Sequence, residues 1–347
     1  MKLDALQTGR AVAAIMVVLF HAHVFTVPDS IYRGTIDGVW RGFGMGFAGV
    51  EFFFVLSGFI MFFVHRGDIG VPVRAGRFIR KRLIRIYPIY WIILGGLVCM
   101  YFAFPGRGPE NARDPLALVT SFLLIPTAGD PIMRVAWTLE YEMFFYLMFT
   151  LMILGGRLGL AVFAIWMTLS AIGTVWPFET HPLSFVFSYY NLLFLFGIGA
   201  AALFPRLTPQ QAWAALAVGV AGFLLVGLTD VYRVVGWAHS WRTVAFGLFA
   251  ALAVAGLAAG VLRPWRWTVF LGDASYSIYL AHLPAMGFAA LAIRKAGLPG
   301  LLPVPAVFLV TVCCGVLAGV IIHLLIEKPV LRLLSQRARP HPHVTAE

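Results

Sequence analysis

Long apolar runs separated by short polar segments dominate the chain. Ten of the runs are long enough to cross a membrane as helices. A further apolar stretch at 116–125 is too short to span, which predicts an interfacial or partly inserted segment. The pattern predicts an all-α, polytopic membrane protein with about ten transmembrane helices. The spanning runs lie at 10–26, 47–65, 87–104, 136–154, 158–176, 184–204, 211–228, 241–262, 267–293 and 303–326.

Composition agrees with the pattern. Of 347 residues, 61% are hydrophobic and 12% are charged, whereas a soluble domain has roughly 45–50% apolar and about 25% charged residues. The predicted membrane domain fills residues 1–335, and residues 336–347 form a short, disordered cytoplasmic tail.

The distribution of basic residues predicts the orientation. If the N-terminus is cytoplasmic, 17 of the 26 lysines and arginines lie in cytoplasmic segments. This bias fits the positive-inside rule, with both termini in the cytoplasm. The net charge of +11 then needs no nucleic-acid partner, and the bilayer is the expected environment.

Arg10 and His21 lie eleven residues apart in the first apolar run. Eleven residues of α-helix place two side chains on nearly the same face, about 16 Å apart along the axis. The run's limits predict that Arg10 lies at one membrane surface and His21 near mid-depth. An ionisable group at that depth is costly, so His21 is a functional hypothesis.

Gly44, Gly46 and Gly49 fit the dinucleotide-binding pattern G-x-G-x-x-G. That pattern has its meaning between a strand and a helix, and here it leads into an apolar span with no strand before it. We therefore interpret the glycines as positions of close helix packing.

The second cytoplasmic segment, RAGRFIRKRLIRIYP, is strongly basic. Arg77, Lys81 and Arg85 share one helical face, and Arg82 with Arg85 forms an i,i+3 pair. Guanidinium groups in this arrangement suit phosphate oxygens. A topogenic loop that contacts anionic lipid headgroups has the same composition. The residues alone leave both interpretations open.

Two carboxylates occur at the outward start of the fourth span, in WTLEYEMFFY. Glu140 and Glu142 point roughly 200° apart on a helix, so at most one is expected to face the bundle interior. A buried carboxylate there could orient a histidine or act as an acid. The alternative is an interfacial residue whose carboxylate reaches water.

A polar stripe runs through the ninth span, LGDASYSIYLAHLP. Ser275, Tyr279 and His282 recur at i, i+4 and i+7, and inside lipid such a stripe must face other helices or a cavity. The spacing allows either a site or a helix contact and slightly favours the contact. Ser57 lies outside any G-x-S-x-G motif, so we interpret it as a packing residue beside Gly58.

Taken together, six segments resemble the acyltransferase-3 family of integral membrane acyltransferases. They occur in the family's order over residues 1–335. The first run, LQTGRAVAAIMVVLFHAH, with GVEFFFVLSGFIM and WTLEYEMFFY, looks most like the branch that acetylates bacterial exopolysaccharides and related surface glycans. One departure is Gln7-Thr8-Gly9 before Arg10, where many members have L-D-G-L. The segments are Arg10 with His21, GVEFFFVLSGFIM at 49–61, RKRLIRIYPIY at 80–90, WTLEYEMFFY at 137–146, LGDASYSIYLAHLP at 271–284 and EKP at 327–329.

The resemblance implies a multi-pass enzyme of the bacterial inner membrane that moves an acetyl group from acetyl-CoA to a hydroxyl of a glycan or lipid-linked oligosaccharide, without a metal. It implies that His21 is a general base or an acyl relay, with Glu142 as the second catalytic residue. The implied donor-binding residues are Arg10, Arg77, Arg82 and Arg85. We expect the site to be lined by Trp137, Ser275, Tyr279 and His282.

The alternative is a transporter or flippase of glycan or lipid-linked intermediates, which also uses many spans and polar groups at mid-depth. A transporter of this kind predicts an inverted repeat of broken helices, and the sequence shows no such repeat.

Overall fold

The structure is a computed structural model that describes residues 4–26, 39–106, 108–298 and 301–336. All regular secondary structure in these ranges is helical, and no strand occurs among the described residues. A 3₁₀ segment, Arg41–Ala48, leads into the second helix, and a π-helical segment, His323–Glu327, joins the last two. The predicted tail lies outside the described residues except for Gln336. The α-helices are α1 (Asp4–Thr26), α2 (Gly49–His65), α3 (Ala75–Ala103), α4 (Pro115–Leu123), α5 (Trp137–Gly155), α6 (Arg157–Val175), α7 (Leu183–Val186), α8 (Tyr190–Leu203), α9 (Pro209–Val231), α10 (His239–Ala258), α11 (Arg266–Asp273), α12 (Ser275–Lys295), α13 (Val304–Ile322) and α14 (Lys328–Gln336).

The ten predicted spans are confirmed, because ten helices in the described part of the chain are long and apolar enough to cross a membrane. The short stretch at 116–125 is also a helix, α4, of nine residues. Its start is specified by Pro115 at the first turn and by Asp114, whose side chain accepts hydrogen bonds from two backbone N–H groups.

Two helix limits differ from the prediction. α1 begins at Asp4, because the polar residues before the apolar run are also helical. Arg10 therefore lies six residues inside α1 and not at its start, and His21 lies five residues from its end at Thr26 and not at its middle. The ninth run is interrupted at Ala274, between α11 and α12.

α1 lies at the centre of the bundle, in contact with α2, α10, α11, α12 and α13. The glycines before α2 permit this close approach. A Cβ atom on Gly46 would clash with the carbonyl of Met16, and one on Gly49 with that of Ala13. The packing interpretation of these two glycines is confirmed, whereas Gly44 has ordinary contacts.

Consecutive spans run in opposite directions, so the bundle has two distinct ends. We call the end that carries the start of α3 the basic end, because Arg74, Arg77, Arg80 and Lys81 are exposed there. The starts of α5, α8 and α10 lie at the opposite end. These two ends contain different chemistry.

Candidate active site

A cavity of about 330 Å³ lies between α1, α2, α3, α5 and α12. The side chains of four cations and one carboxylate line it, so its charge favours an anionic ligand. Its remaining lining is aromatic and aliphatic. The polar and charged lining residues are Arg10, Ser57, Lys81, Arg82, Arg85, Thr138, Glu142, Tyr146, Ser275, Tyr276 and Tyr279.

The cations of the cavity have unequal partners. Arg82 lies over the rings of Phe78 and Tyr146, at 5.8 and 5.9 Å from their centroids, and forms no ion pair with a described carboxylate. Its Nη2 atom lies 3.5 Å from Nε2 of His65. Arg10 likewise forms no ion pair within the described ranges. Both guanidinium groups are thus available to an anion.

Arg85, in contrast, is held by a buried carboxylate. Nη1 of Arg85 donates to Glu327 at 3.1 Å, and Glu327 is 1% exposed. The same carboxylate accepts from Ser277 at 2.8 Å and lies 2.7 Å from Nδ1 of His323. Part of the charge of Arg85 is therefore neutralised, and its position is fixed. The closing EKP segment contributes this anchor, a role that the sequence analysis did not assign.

Glu142 faces the cavity and accepts two hydrogen bonds. Ser57 Oγ donates to its Oε1 at 3.0 Å, and Tyr146 Oη donates to the same atom at 2.5 Å. The interpretation of Ser57 as a packing residue is therefore wrong, although Gly58 beside it does pack closely, against the carbonyl of Phe194. Glu142 does not contact His21, so it does not orient that histidine.

Glu140 is also buried, at 8% exposed. The expectation that at most one of the two glutamates faces the interior is wrong, because α5 has protein on both sides. The far side of α5 faces Tyr90 and Asp130, which interact electrostatically with Glu140.

The predicted stripe on α12 is confirmed as an inward-facing polar face. Ser275 and Tyr279 line the cavity, and His282 is completely buried one turn beyond them. The hydroxyl of Ser275 has no hydrogen-bond partner. Tyr279 is anchored, since its Oη lies 3.0 Å from Thr138 Oγ1. Ser275 is therefore the stripe residue whose hydroxyl can bind a ligand.

His21 does not line the cavity but is joined to it through His282. Nδ1 of His21 lies 3.1 Å from Nε2 of His282. The His282 ring in turn lies 5.9 Å from the ring of Tyr279, between centroids. Tyr279 and the nearby Phe53, which are in edge contact at 6.0 Å, thus separate the cavity from the histidine pair.

Two other predicted site residues lie outside the cavity. Arg77 is exposed about one turn nearer the start of α3 than Lys81 and does not line the cavity. Trp137 is the first residue of α5 and packs on Phe54 and Tyr190 at the opposite end of the bundle. Within the described ranges, no group of three or more His, Cys, Asp or Glu could hold a metal ion.

Comparisons with known proteins agree with this architecture. A family model described as an acyltransferase domain matches residues 3–323. The chain is 33% identical over 306 residues to the exopolysaccharide production protein ExoZ of Rhizobium meliloti (strain 1021), covering 84% of this chain and 91% of that protein. It is 26% identical over 307 residues to the putative membrane-bound transacylase BcsY of Komagataeibacter xylinus, covering 80% and 71%. No solved structure matches the chain.

Proposed function

The chain belongs to the acyltransferase-3 family of membrane acyltransferases, and from this premise we propose that it moves an acetyl group from acetyl-CoA to a sugar hydroxyl of an exopolysaccharide or other surface glycan. Family membership favours an enzyme over a transporter. We further propose that the basic end faces the cytoplasm of a bacterium, with the enzyme in the inner membrane.

The cationic cavity is the observation that carries the donor assignment. Acetyl-CoA is an anionic thioester with a long, uncharged pantetheine arm. A volume of about 330 Å³ suits such an arm, since pockets for small molecules measure ≈300–1,000 Å³. The phosphates stay near Lys81 and Arg82 at the basic end, and the unpartnered hydroxyl of Ser275 binds the arm.

His21 supplies the base in this proposal. Neutral imidazole carries one proton, and in His282 that proton lies on Nδ1, because Nδ1 lies 3.1 Å from the carbonyl oxygen of Ile278, which can only accept. Nε2 of His282 then accepts from Nδ1–H of His21, which also donates to the carbonyl of Val17 at 3.0 Å. Nε2 of His21 is therefore unprotonated, and no described residue hydrogen-bonds it.

The transfer is a single displacement. Nε2 of His21 takes the proton from the sugar hydroxyl while the hydroxyl oxygen bonds to the thioester carbonyl carbon. The carbon–sulfur bond breaks, and the CoA thiolate takes the proton from the imidazolium, which leaves CoA thiol and a sugar acetate ester. The thioester reaches His21 when the ring of Phe53 turns aside from Tyr279.

An acyl relay uses the same nitrogen. In that route Nε2 of His21 attacks the carbonyl carbon itself and passes the acetyl group to the acceptor. Incubation with labelled acetyl-CoA in the absence of acceptor separates the two routes. Label that remains covalently bound to the wild-type chain, and is absent from His21→Gln, would show that the reaction follows the acyl relay and not direct transfer.

Mass spectrometry of the surface glycan tests the function as a whole. Cells that lack the chain are complemented with wild type or with His21→Gln, both quantified in membranes. We expect the wild type to restore an acetyl increment on the glycan that the variant does not restore. An identical glycan in the presence and absence of the chain would overturn the proposal.

A further inference from the structure

Three aromatic rings form a cluster at the end of the bundle opposite the basic end. Trp137 lies 6.0 Å from Tyr141 and 5.1 Å from Tyr190, and the two tyrosines lie 5.5 Å apart, measured between ring centroids. All three side chains are half-buried, and we call them the outer aromatic cluster. The three rings rest on one buried ring, Phe54, at 5.9 to 6.1 Å.

Phe54 also lines the donor cavity. The outer aromatic cluster and the cavity are therefore on opposite sides of a single side chain. A ligand that rests on the cluster lies close to the donor cavity and is reached from the other end of the molecule. An enzyme that takes its two substrates from opposite ends of the molecule requires its second binding site at such a position.

A chain of polar contacts ends on the cluster. Arg242 is paired with Asp230 at 2.8 Å, and its Nη2 donates to Nδ1 of His239 at 2.9 Å. Because Arg242 can only donate, the proton of neutral His239 lies on Nε2. That nitrogen is 3.1 Å from Oη of Tyr190 and donates to it. A side-chain hydrogen bond also joins Tyr190 to Tyr189, so His239 and Tyr189 together position the Tyr190 hydroxyl.

Glu51 adds an acceptor that is not used within the protein. It is 2% exposed, and its Oε2 atom is buried with no hydrogen-bond partner. Arg242 and Tyr190 lie close enough to interact with it electrostatically. A buried polar atom without a partner is costly, so Oε2 of Glu51 is a position at which a ligand hydroxyl would be stabilised.

Two aromatic rings connect the polar groups of the site to His21. The guanidinium of Arg242 lies 4.5 Å from the ring centroid of Phe47, and Phe47 packs against Phe20 at 5.8 Å. Phe20 is in edge contact with the ring of His21 at 4.9 Å. Phe47 and Phe20 therefore lie between Arg242 and His21.

These features specify the chemistry of the ligand. Aromatic rings provide flat apolar surfaces for the C–H faces of a sugar, while Oε2 of Glu51 offers an acceptor to one of its hydroxyls. At this end of the bundle Arg242 is paired with Asp230, and Arg134 is paired with Asp130. An anionic sugar is disfavoured because both guanidinium groups already have carboxylate partners.

We propose that the outer aromatic cluster, with Glu51, binds an uncharged sugar residue of the acceptor glycan. The proposal rests on the proposed acyl transfer, and it adds the location of the acceptor and its charge class.

Kinetics with two oligosaccharide fractions test it. Surface oligosaccharides are de-O-acetylated and separated by anion exchange into neutral and acidic fractions, and each is offered with acetyl-CoA to the purified chain in nanodiscs. Glu51→Gln and Trp137→Phe are compared with Glu179→Gln and Trp176→Phe, which alter exposed residues outside the cluster. Each pair makes the same chemical change inside and outside the site.

We expect the wild type to acetylate the neutral fraction. Glu51→Gln and Trp137→Phe should raise the acceptor KM about tenfold, with an unchanged KM for acetyl-CoA, and the two controls should match wild type. An unchanged acceptor KM in both cluster variants, or preference for the acidic fraction, would overturn the proposal. Calorimetric titration of the neutral fraction without acetyl-CoA measures sugar binding alone. If the sugars bound in a cluster-dependent way but no acetyl transfer occurred, the proposed function would be wrong and the proposed sugar site would still hold.

Discussion

Nε2 of His282 lies 3.1 Å from Nδ1 of His21. The two residues are separated by 261 positions in the chain and meet because α12 packs against α1. This contact and the hydrogen bond to the carbonyl of Val17 together fix which nitrogen of His21 is available for chemistry. We therefore expect His282 to act through His21 as a positioning residue, the role that a carboxylate has beside many catalytic histidines.

The first prediction concerns this contact. His282→Phe removes one of the two acceptors for Nδ1–H, leaving the carbonyl of Val17, and should lower kcat about 10–100-fold, as loss of a residue that orients a functional histidine typically does. The KM for acetyl-CoA should not change, because His282 does not line the donor cavity. His282→Gln retains a side-chain acceptor and should recover part of the rate.

His181→Phe is the control, since His181 is exposed. If His282→Phe retained the wild-type kcat, or if His282→Gln were no better than His282→Phe, the positioning role would be wrong.

The second prediction compares two arginines on one helix. Arg82 lines the cavity without a carboxylate partner, whereas Arg77 is exposed. Arg82→Ala should raise the Kd for acetyl-CoA by about tenfold or more, the value of a charged hydrogen bond. Arg77→Ala should leave it within experimental error. Equal effects of the two substitutions on acetyl-CoA binding would favour the topogenic interpretation of this segment.

The third prediction concerns the buried pair of Arg85 and Glu327. Glu327→Ala leaves a cation and two other donors without their acceptor, so it should lower the free energy of unfolding by about 3–5 kcal/mol. The double variant Arg85→Met with Glu327→Leu should recover part of the lost stability, because an apolar pair can replace an ion pair, while Ser277 and His323 still lack their acceptor. It should not recover acetyl-CoA affinity.

Thermal denaturation in detergent measures these changes. Asp130→Asn serves as the control, because Asp130 and its partner Arg134 are 80% and 81% exposed at 3.9 Å, and such pairs contribute about 0–1 kcal/mol. A Glu327→Ala variant as stable as Asp130→Asn would contradict the anchor role.

The fourth prediction tests the packing of α2 on α8. Gly58→Ala places a methyl group against the carbonyl of Phe194, and the backbones must separate to admit it. We expect a lower melting temperature and reduced activity. Gly96→Ala in α3 meets no atom within 4 Å and should leave both unchanged. Equal melting temperatures for the two variants would show that the helices tolerate separation.

The sequence was sufficient to predict the membrane spans, because a membrane helix is specified by the length of a local run of apolar residues. It was less informative about their ends, because the residues before Arg10 lie outside the predicted span yet belong to α1. The stripe on α12 was predicted correctly, since i, i+4, i+7 spacing is a local property.

Contacts between distant helices could not be inferred from spacing. Ser57 bonds Glu142 across 85 positions, and Arg85 bonds Glu327 across 242. Arg77 shares a helical face with Lys81 and Arg85 but is exposed and does not line the cavity. Glu51, a carboxylate within an apolar segment, is a signal that the interpretation of the sequence did not use.

The central claim is that His21 takes the acceptor proton during acetyl transfer. Single-turnover transfer from labelled acetyl-CoA to the neutral oligosaccharides, measured for wild type and His21→Gln with equal amounts of folded protein, tests it most directly. The account predicts a rate loss of about 10²–10⁴-fold for the variant, with an unchanged Kd for acetyl-CoA. Transfer by His21→Gln at the wild-type rate would contradict it.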